Sequence, residues 1–218
     1  TILELLFGLG IALIIHRRFR GRGMVRAAVL VPWAIPTVVS SQLWRFIFND
    51  KYGLLNFLVY GSDTDRYRAW LADPLFAFIA IVAADVWKTS SFAGLLILAG
   101  LQTIPEELYE AARIDGATAW QRFRSVTLPL IKPALLIALL FRTMDAFRVF
   151  DLVFVMTQGG PADSTNVLQF YGYKKIFAEG LMGYGSAISV LVFTVSLIVS
   201  LLYLRLVGSG FLQGGREP

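Results

Sequence analysis

The residues of this chain that are able to do chemistry are few, and most of them sit where charge is costly. Arg142, Asp145, Arg148 and Asp151 recur at a spacing of three, with alternating sign, inside a long apolar run. Groups three or four apart share a helix face, so successive members can pair along a single helix. At 1.5 Å per residue, such a ladder covers about 14 Å of helix. Asp85 and Lys88 repeat the spacing in an earlier run and lead into Thr89, Ser90 and Ser91, a polar stretch that could mark a break or kink. Trp33, Trp44 and Trp87 lie at comparable depth. Ionisable groups so placed usually face a cavity or another helix. Two readings stand side by side. The groups line a path for hydroxyl-rich cargo, with Trp44 and Trp87 stacking on sugar rings. Alternatively the charges clamp helices together and the tryptophans anchor at the membrane interface.

Other chemistries are excluded. The chain has no Cys and a single His, His16. No thiol nucleophile, Cys/His zinc site or Ser–His–Asp set can be assembled, and no metal site is expected. His16 opens an Arg-rich segment and reads as a surface residue at headgroup level. No G-x-x-x-x-G-K-[ST] loop, G-x-S-x-G elbow or H-E-x-x-H pair occurs, so the chain itself should not hydrolyse ATP.

The elements that hold these residues must be membrane helices. Of 218 residues, 56% are hydrophobic and 16% charged, and the mean hydropathy is +0.65; soluble domains run nearer a quarter charged. Five apolar stretches stand out, at residues 2–15, 27–48, 75–101, 131–155 and 187–207. A helix needs about 20 residues to cross the hydrocarbon core, and all but the first have them. The expected fold is all-α, a polytopic transmembrane bundle forming one domain over 1–218. The chain opens on Thr, without a signal-peptide pattern. An upstream span is therefore expected, making six in the intact chain.

The net charge of +5 does not point to nucleic acid, because it sorts across the spans. Residues 16–26 hold Arg17, Arg18, Arg20, Arg22 and Arg26; residues 102–133 hold Arg113, Arg122, Arg124 and Lys132; the tail adds Arg205 and Arg216. These eleven face Lys51, Arg66, Arg68, Lys174 and Lys175, five on the other side. The positive-inside rule then makes 16–26, 102–133 and the C-terminus cytoplasmic.

The loop at 102–133 carries the most local signal. Thr103 and Glu106 have capping-box spacing with Pro105 in the first turn, and Thr118 and Gln121 repeat the box. Gly116 stands where a C′ glycine would end the first helix. Pro129 and Pro133 mark a turn into the next span. Two alanines, Ala111 and Ala112, lie between Glu110 and Asp115, so the helix is fit to press closely on a partner and to pair with its cations. A docking module and a solvated hairpin are both compatible with these features.

Glu110-Ala111-Ala112, three residues, Gly116, nine residues, Val126, one residue, then Leu128-Pro129 resembles in full the EAA signature of permease subunits of bacterial ABC importers. Phe147-Arg148-Val149-Phe150-Asp151, then Met156-Thr157-Gln158-Gly159-Gly160-Pro161 and Ser164-Thr165, is similar to the carbohydrate-uptake permeases of the MalF type. The resemblance covers nearly the whole chain, except that the family's first span has no counterpart. It implies that Glu110, Ala111, Ala112, Asp115, Gly116, Leu128 and Pro129 couple to an ATPase. It also implies a second permease subunit, two ATP-binding subunits that use ATP and Mg, and an extracytoplasmic sugar-binding protein. The chain would sit in lipid in the bacterial inner membrane. Thr157, Gly159, Gly160 and Pro161 are outer-loop candidates for receiving the binding protein.

The expected function is permeation of a sugar by alternating access. A disaccharide such as trehalose or maltose is the expectation, with glycerol phosphate the alternative cargo. The competing class is an ion-coupled secondary transporter with the Arg142/Asp145/Arg148/Asp151 ladder as relay, although the inverted repeats it should show are not found. A membrane-embedded enzyme is the poorer third reading.

Overall fold

The computed structural model describes residues 1–17 and 19–213; Arg18 and Arg216 lie outside the described residues. Every regular element among the described residues is helical. The helices are α1 (Ile2–His16), α2 (Arg22–Ala34), α3 (Thr37–Ile47), α4 (Leu54–Tyr60), α5 (Pro74–Gln102), α6 (Glu106–Ile114), α7 (Ala119–Arg122), α8 (Leu128–Ala146), α9 (Asp151–Met156), α10 (Leu168–Tyr173) and α11 (Met182–Gln213). Among the described residues, three helices are long and apolar enough to cross a membrane, or four if α2 and α3 count as one bent span. The fifteen-residue α1 is apolar but short. Large apolar side chains stay exposed along α11, among them Leu191, Phe193 and Leu202, as a helix in lipid requires.

Four expectations about the spans change. The 27–48 stretch is two helices meeting at 89°, because Pro36 offers no N–H and forces the residue before it out of helical conformation. The 131–155 stretch stops at Ala146 and restarts at Asp151. At its start, by contrast, there is no turn at Pro129 or Pro133, since α7, a π-helical turn at Phe123–Thr127 and α8 run on as an apolar helix over Ala119–Ala146. The wider π turn lies just ahead of Pro129, where the proline ring would otherwise press on the preceding carbonyl. The polar stretch 88–91 does not break α5, which stays helical over 29 residues with Lys88, Thr89, Ser90 and Ser91 all buried.

The chain packs as two compact units. The first comprises Thr1–Val31, Thr89–Thr143 and Val199–Pro218. Its core joins Ala12 and Ile15 to Ile97, Leu98, Leu101, Ile131 and Ala138. α1 and α5 approach closely there: a Cβ on Gly8 would lie 2.9 Å from the Gly94 backbone nitrogen. Small residues permit this contact where no hydrophobic effect drives helices together. The second unit comprises Pro32–Lys88 and Met144–Ile198. Ala80, Ile81, Ala84, Leu152, Val153, Met156 and Phe170 form its core, flanked by Trp44, Phe48, Phe150 and Tyr173. In the same unit the fully buried Asn56 ties together the segments before and after α4: its amide donates to the carbonyls of Asn49, Asp50 and Arg68, and its oxygen accepts from Trp70 Nε1 at 2.7 Å.

Candidate functional site

α6 is built to stand out from its unit. Its N-cap is Pro105, and the box expected from Thr103 and Glu106 does not form, because the Thr103 hydroxyl donates backward to the Gly100 carbonyl at 2.8 Å. Glu106 and Glu107 still place acid in the first turn, where the helix dipole favours it. The far end is closed by a Schellman motif. Gly116 adopts φ +76°, its N–H donates to the Arg113 carbonyl at 3.0 Å, and the Ala117 N–H reaches back to Ala112 at 2.9 Å. The next helix begins with the expected capping box: the Gln121 N–H donates to the Thr118 hydroxyl, and the Gln121 side chain accepts from the Thr118 N–H at 2.7 Å.

Tyr109 anchors this hairpin through a 3.0 Å hydroxyl contact with the buried Thr127. No α6 residue is buried. Leu108, Ala111 and Ile114, spaced at three, are all exposed, and Ile114 is 86% exposed. Glu110, Asp115, Leu128 and Pro129 are exposed as well, whereas Ala112 is half-buried. A short helix with a closed C-terminal end therefore offers an apolar stripe, small residues and acid on one projection. Such a surface fits a cleft in another protein better than it fits water.

The charge ladder does not exist as one face. Arg142, Asp145 and Arg148 straddle the end of α8, and Asp151 begins α9. Arg142 is buried, and its Nε donates to Glu4 Oε2 at 2.7 Å, both side chains being 3% exposed. Asp145 and Arg148 are exposed and Asp151 half-buried. Arg142 thus ties α8 to α1, and because α8 ends at Ala146 and α9 starts at Asp151, the four charges share no continuous helix along which a relay could run. Glu4 was missed. The signal was present as a lone acid in an apolar run, hidden by attention to repeated spacing.

In the second unit, Lys88 takes an unforeseen position. Its ammonium donates to the Pro32 and Trp33 carbonyls at 3.4 Å each, and more closely to Ile35. These carbonyls end α2 at the Pro36 break, so the cation caps a helix C-terminus, where the last carbonyls have no intrahelical donor. Asp85, expected on the same face, is half-buried. Trp44 stacks on Phe48 and meets Trp87 edge-on, both at 5.9 Å between ring centres.

The outer-loop candidates lie in a folded turn. Thr157 and Thr165 join hydroxyls at 2.8 Å, and Thr165 donates to the Gly160 carbonyl at 2.7 Å. The Gly160–Pro161 bond is cis. Gly159 is buried and Thr157 and Pro161 are partly exposed.

The family described as "Binding-protein-dependent transport system inner membrane component" matches residues 4–208. The chain is 48% identical over 203 residues to the trehalose/maltose transport system permease protein MalF of Thermococcus litoralis, covering 93% of this chain and 68% of that protein. It is 43% identical over 217 residues to the trehalose transport system permease protein SugA of Mycobacterium tuberculosis, covering 99% and 67%. It thus spans about two thirds of the length of both relatives. A bacterial ABC transporter involved in importing the acidic polysaccharide alginate superposes with a TM-score of 0.82 at 25% identity, over 95% of this chain and 76% of the other. A match over nearly all of the chain, shared with permeases of named sugar transport systems, leaves one assignment: the protein belongs to the inner-membrane permease components of binding-protein-dependent transport systems.

Proposed function

We propose that this chain is one of two permease subunits in an ATP-driven importer that carries a sugar, of disaccharide class, by alternating access. α6 is its coupling helix. Glu110, Ala111, Ala112, Asp115 and Gly116 dock into a cleft on a cytoplasmic ATP-binding subunit, supported by Leu128 and Pro129. ATP and Mg act in two such partners, and an extracytoplasmic sugar-binding protein delivers cargo. Differential binding of ATP to the two global states then drives the cycle. The observation that carries this reading is the projection of α6, with Leu108, Ala111 and Ile114 exposed beside Glu110 and Asp115. The trehalose and maltose named for the two relatives support the cargo class.

The proposal takes Lys88 and Arg142 as helix clamps and keeps Trp44, Asp85, Trp87, Asp145, Arg148 and Asp151 as path candidates. Thr157, Gly159, Gly160 and Pro161 belong to the face that meets the binding protein. The test is co-purification and uptake. Ala111→Trp and Glu110→Lys should insert normally but recover little ATPase, or hydrolyse ATP without moving sugar. Ala112→Trp should behave alike, but Ala112 is half-buried within its own chain, so Ala111 gives the cleaner result. Normal uptake with normal ATPase recovery for Ala111→Trp and Glu110→Lys would reject the coupling role.

A further inference from the structure

One cavity of the first unit, about 860 Å³, gathers five arginines from two distant stretches of the chain. Arg17, Arg22 and Arg26 come from the end of α1 and the start of α2; Arg113 and Arg122 come from α6 and α7. Among the described residues lining it, Glu106 is the one acid. Holding so many like charges around one space is unfavourable unless something anionic answers them. The internal contacts satisfy only part of their donor capacity. Arg122 donates one N–H to the Ala117 carbonyl at 2.6 Å, and Arg113 donates one to Tyr109 at 3.3 Å. Arg26 reaches the Ile15 carbonyl at 3.4 Å through Nη2, while its Nε is buried and makes no hydrogen bond. His16, one residue beyond the apolar run, also lines the cavity and is held below the ordinary histidine range, first by burial and then by Arg26 and Arg22.

Guanidinium forks suit phosphate oxygens in both charge and geometry. The volume lies in the range of small-molecule sites. Basic pockets between helices at one membrane face suit anionic head groups as well. We propose that this cavity is a binding site for a phosphate group, supplied by an anionic phospholipid headgroup or by a soluble phosphate compound.

The test uses the intact nucleotide-free complex and reads binding without uptake, so it stands apart from the transport assignment. In one arm the complex is held in nanodiscs of phosphatidylcholine with phosphatidylglycerol, and native mass spectrometry counts the phosphatidylglycerol retained. In the other, discs of phosphatidylcholine alone are titrated with radiolabelled inorganic phosphate. Wild-type protein should retain ligand in at least one arm, and R22Q/R26Q should lower that retention about tenfold. R20Q, which changes an exposed arginine outside the cavity lining, should leave it unchanged. Retention of phosphatidylglycerol alone identifies a headgroup, and phosphate binding identifies a soluble ligand. If R22Q/R26Q does not assemble, R22K/R26K keeps the charge without the fork and should bind several-fold more weakly than wild type. Empty wild-type arms, full binding by the double variant tested, or an equal loss in R20Q overturns the site.

Discussion

Glu4 and Arg142 carry the clearest energetic consequence of any pair in the chain. Both are almost fully buried and 2.7 Å apart. Removing one member of a buried pair takes a partner from a desolvated charge and typically costs about 3–5 kcal/mol. Glu4→Ala should therefore cut recovery of folded permease sharply and lower its thermal midpoint in detergent. Glu4→Ala with Arg142→Met should restore much of that loss, because apolar side chains of similar volume are tolerated in place of a buried ion pair. A double variant no better than the single one would show that the pair is not the source. Asp145→Ala, which the ladder reading makes severe, should assemble close to normally, since Asp145 is exposed. Uptake by Asp145→Ala then reports on the path rather than on folding.

Helix ends and breaks set the next scale. Lys88 replaces the partners that the Pro36 break removes from the last carbonyls of α2. Lys88→Met should remove the cation from those carbonyls, at about 1–3 kcal/mol for each hydrogen bond not replaced. Thermal unfolding should show that drop, and Lys88→Arg should recover part of it, since it also donates several N–H groups. A Met variant as stable as wild type would mean that water serves the break equally well. At the other end of the mechanism, Gly116 sits at φ +76° with open space around its missing Cβ. Gly116→Ala meets no neighbour, so its cost of about 1 kcal/mol is conformational. It should loosen the stop of α6 and weaken recovery of the ATPase with little change in permease yield. An unchanged ATPase yield would separate the Schellman stop from docking.

Across the whole molecule, charge sorting predicts which end faces the cytoplasm. Single cysteines at Arg20 and Thr118 should resist an impermeant thiol reagent in intact cells, while one at Asp63 should label. All three positions are exposed, so protection would reflect the membrane rather than burial. Labelling at Thr118 from outside would invert the topology and remove α6 from the ATPase side.

Much of this was legible in the residues. Apolar length marks membrane helices whatever packs around them. The Thr118–Gln121 box and the Gly116 stop were readable because caps are local, made by groups within a few residues. The Thr103 box failed on the same scale, because a competing carbonyl at Gly100 lies one turn back. Partnership across the fold was not legible. Regular spacing along one run gave no hint that Glu4, 138 residues away in sequence, meets Arg142. Lys88 was visible only as a charge in an apolar run, and that it caps the break at Pro36 depended on α5 passing the end of α2. Local chemistry decides where helices start, stop and bend. Which buried charge answers which is decided only by the tertiary structure, because the energy of desolvation attaches to whatever neighbour the packing supplies.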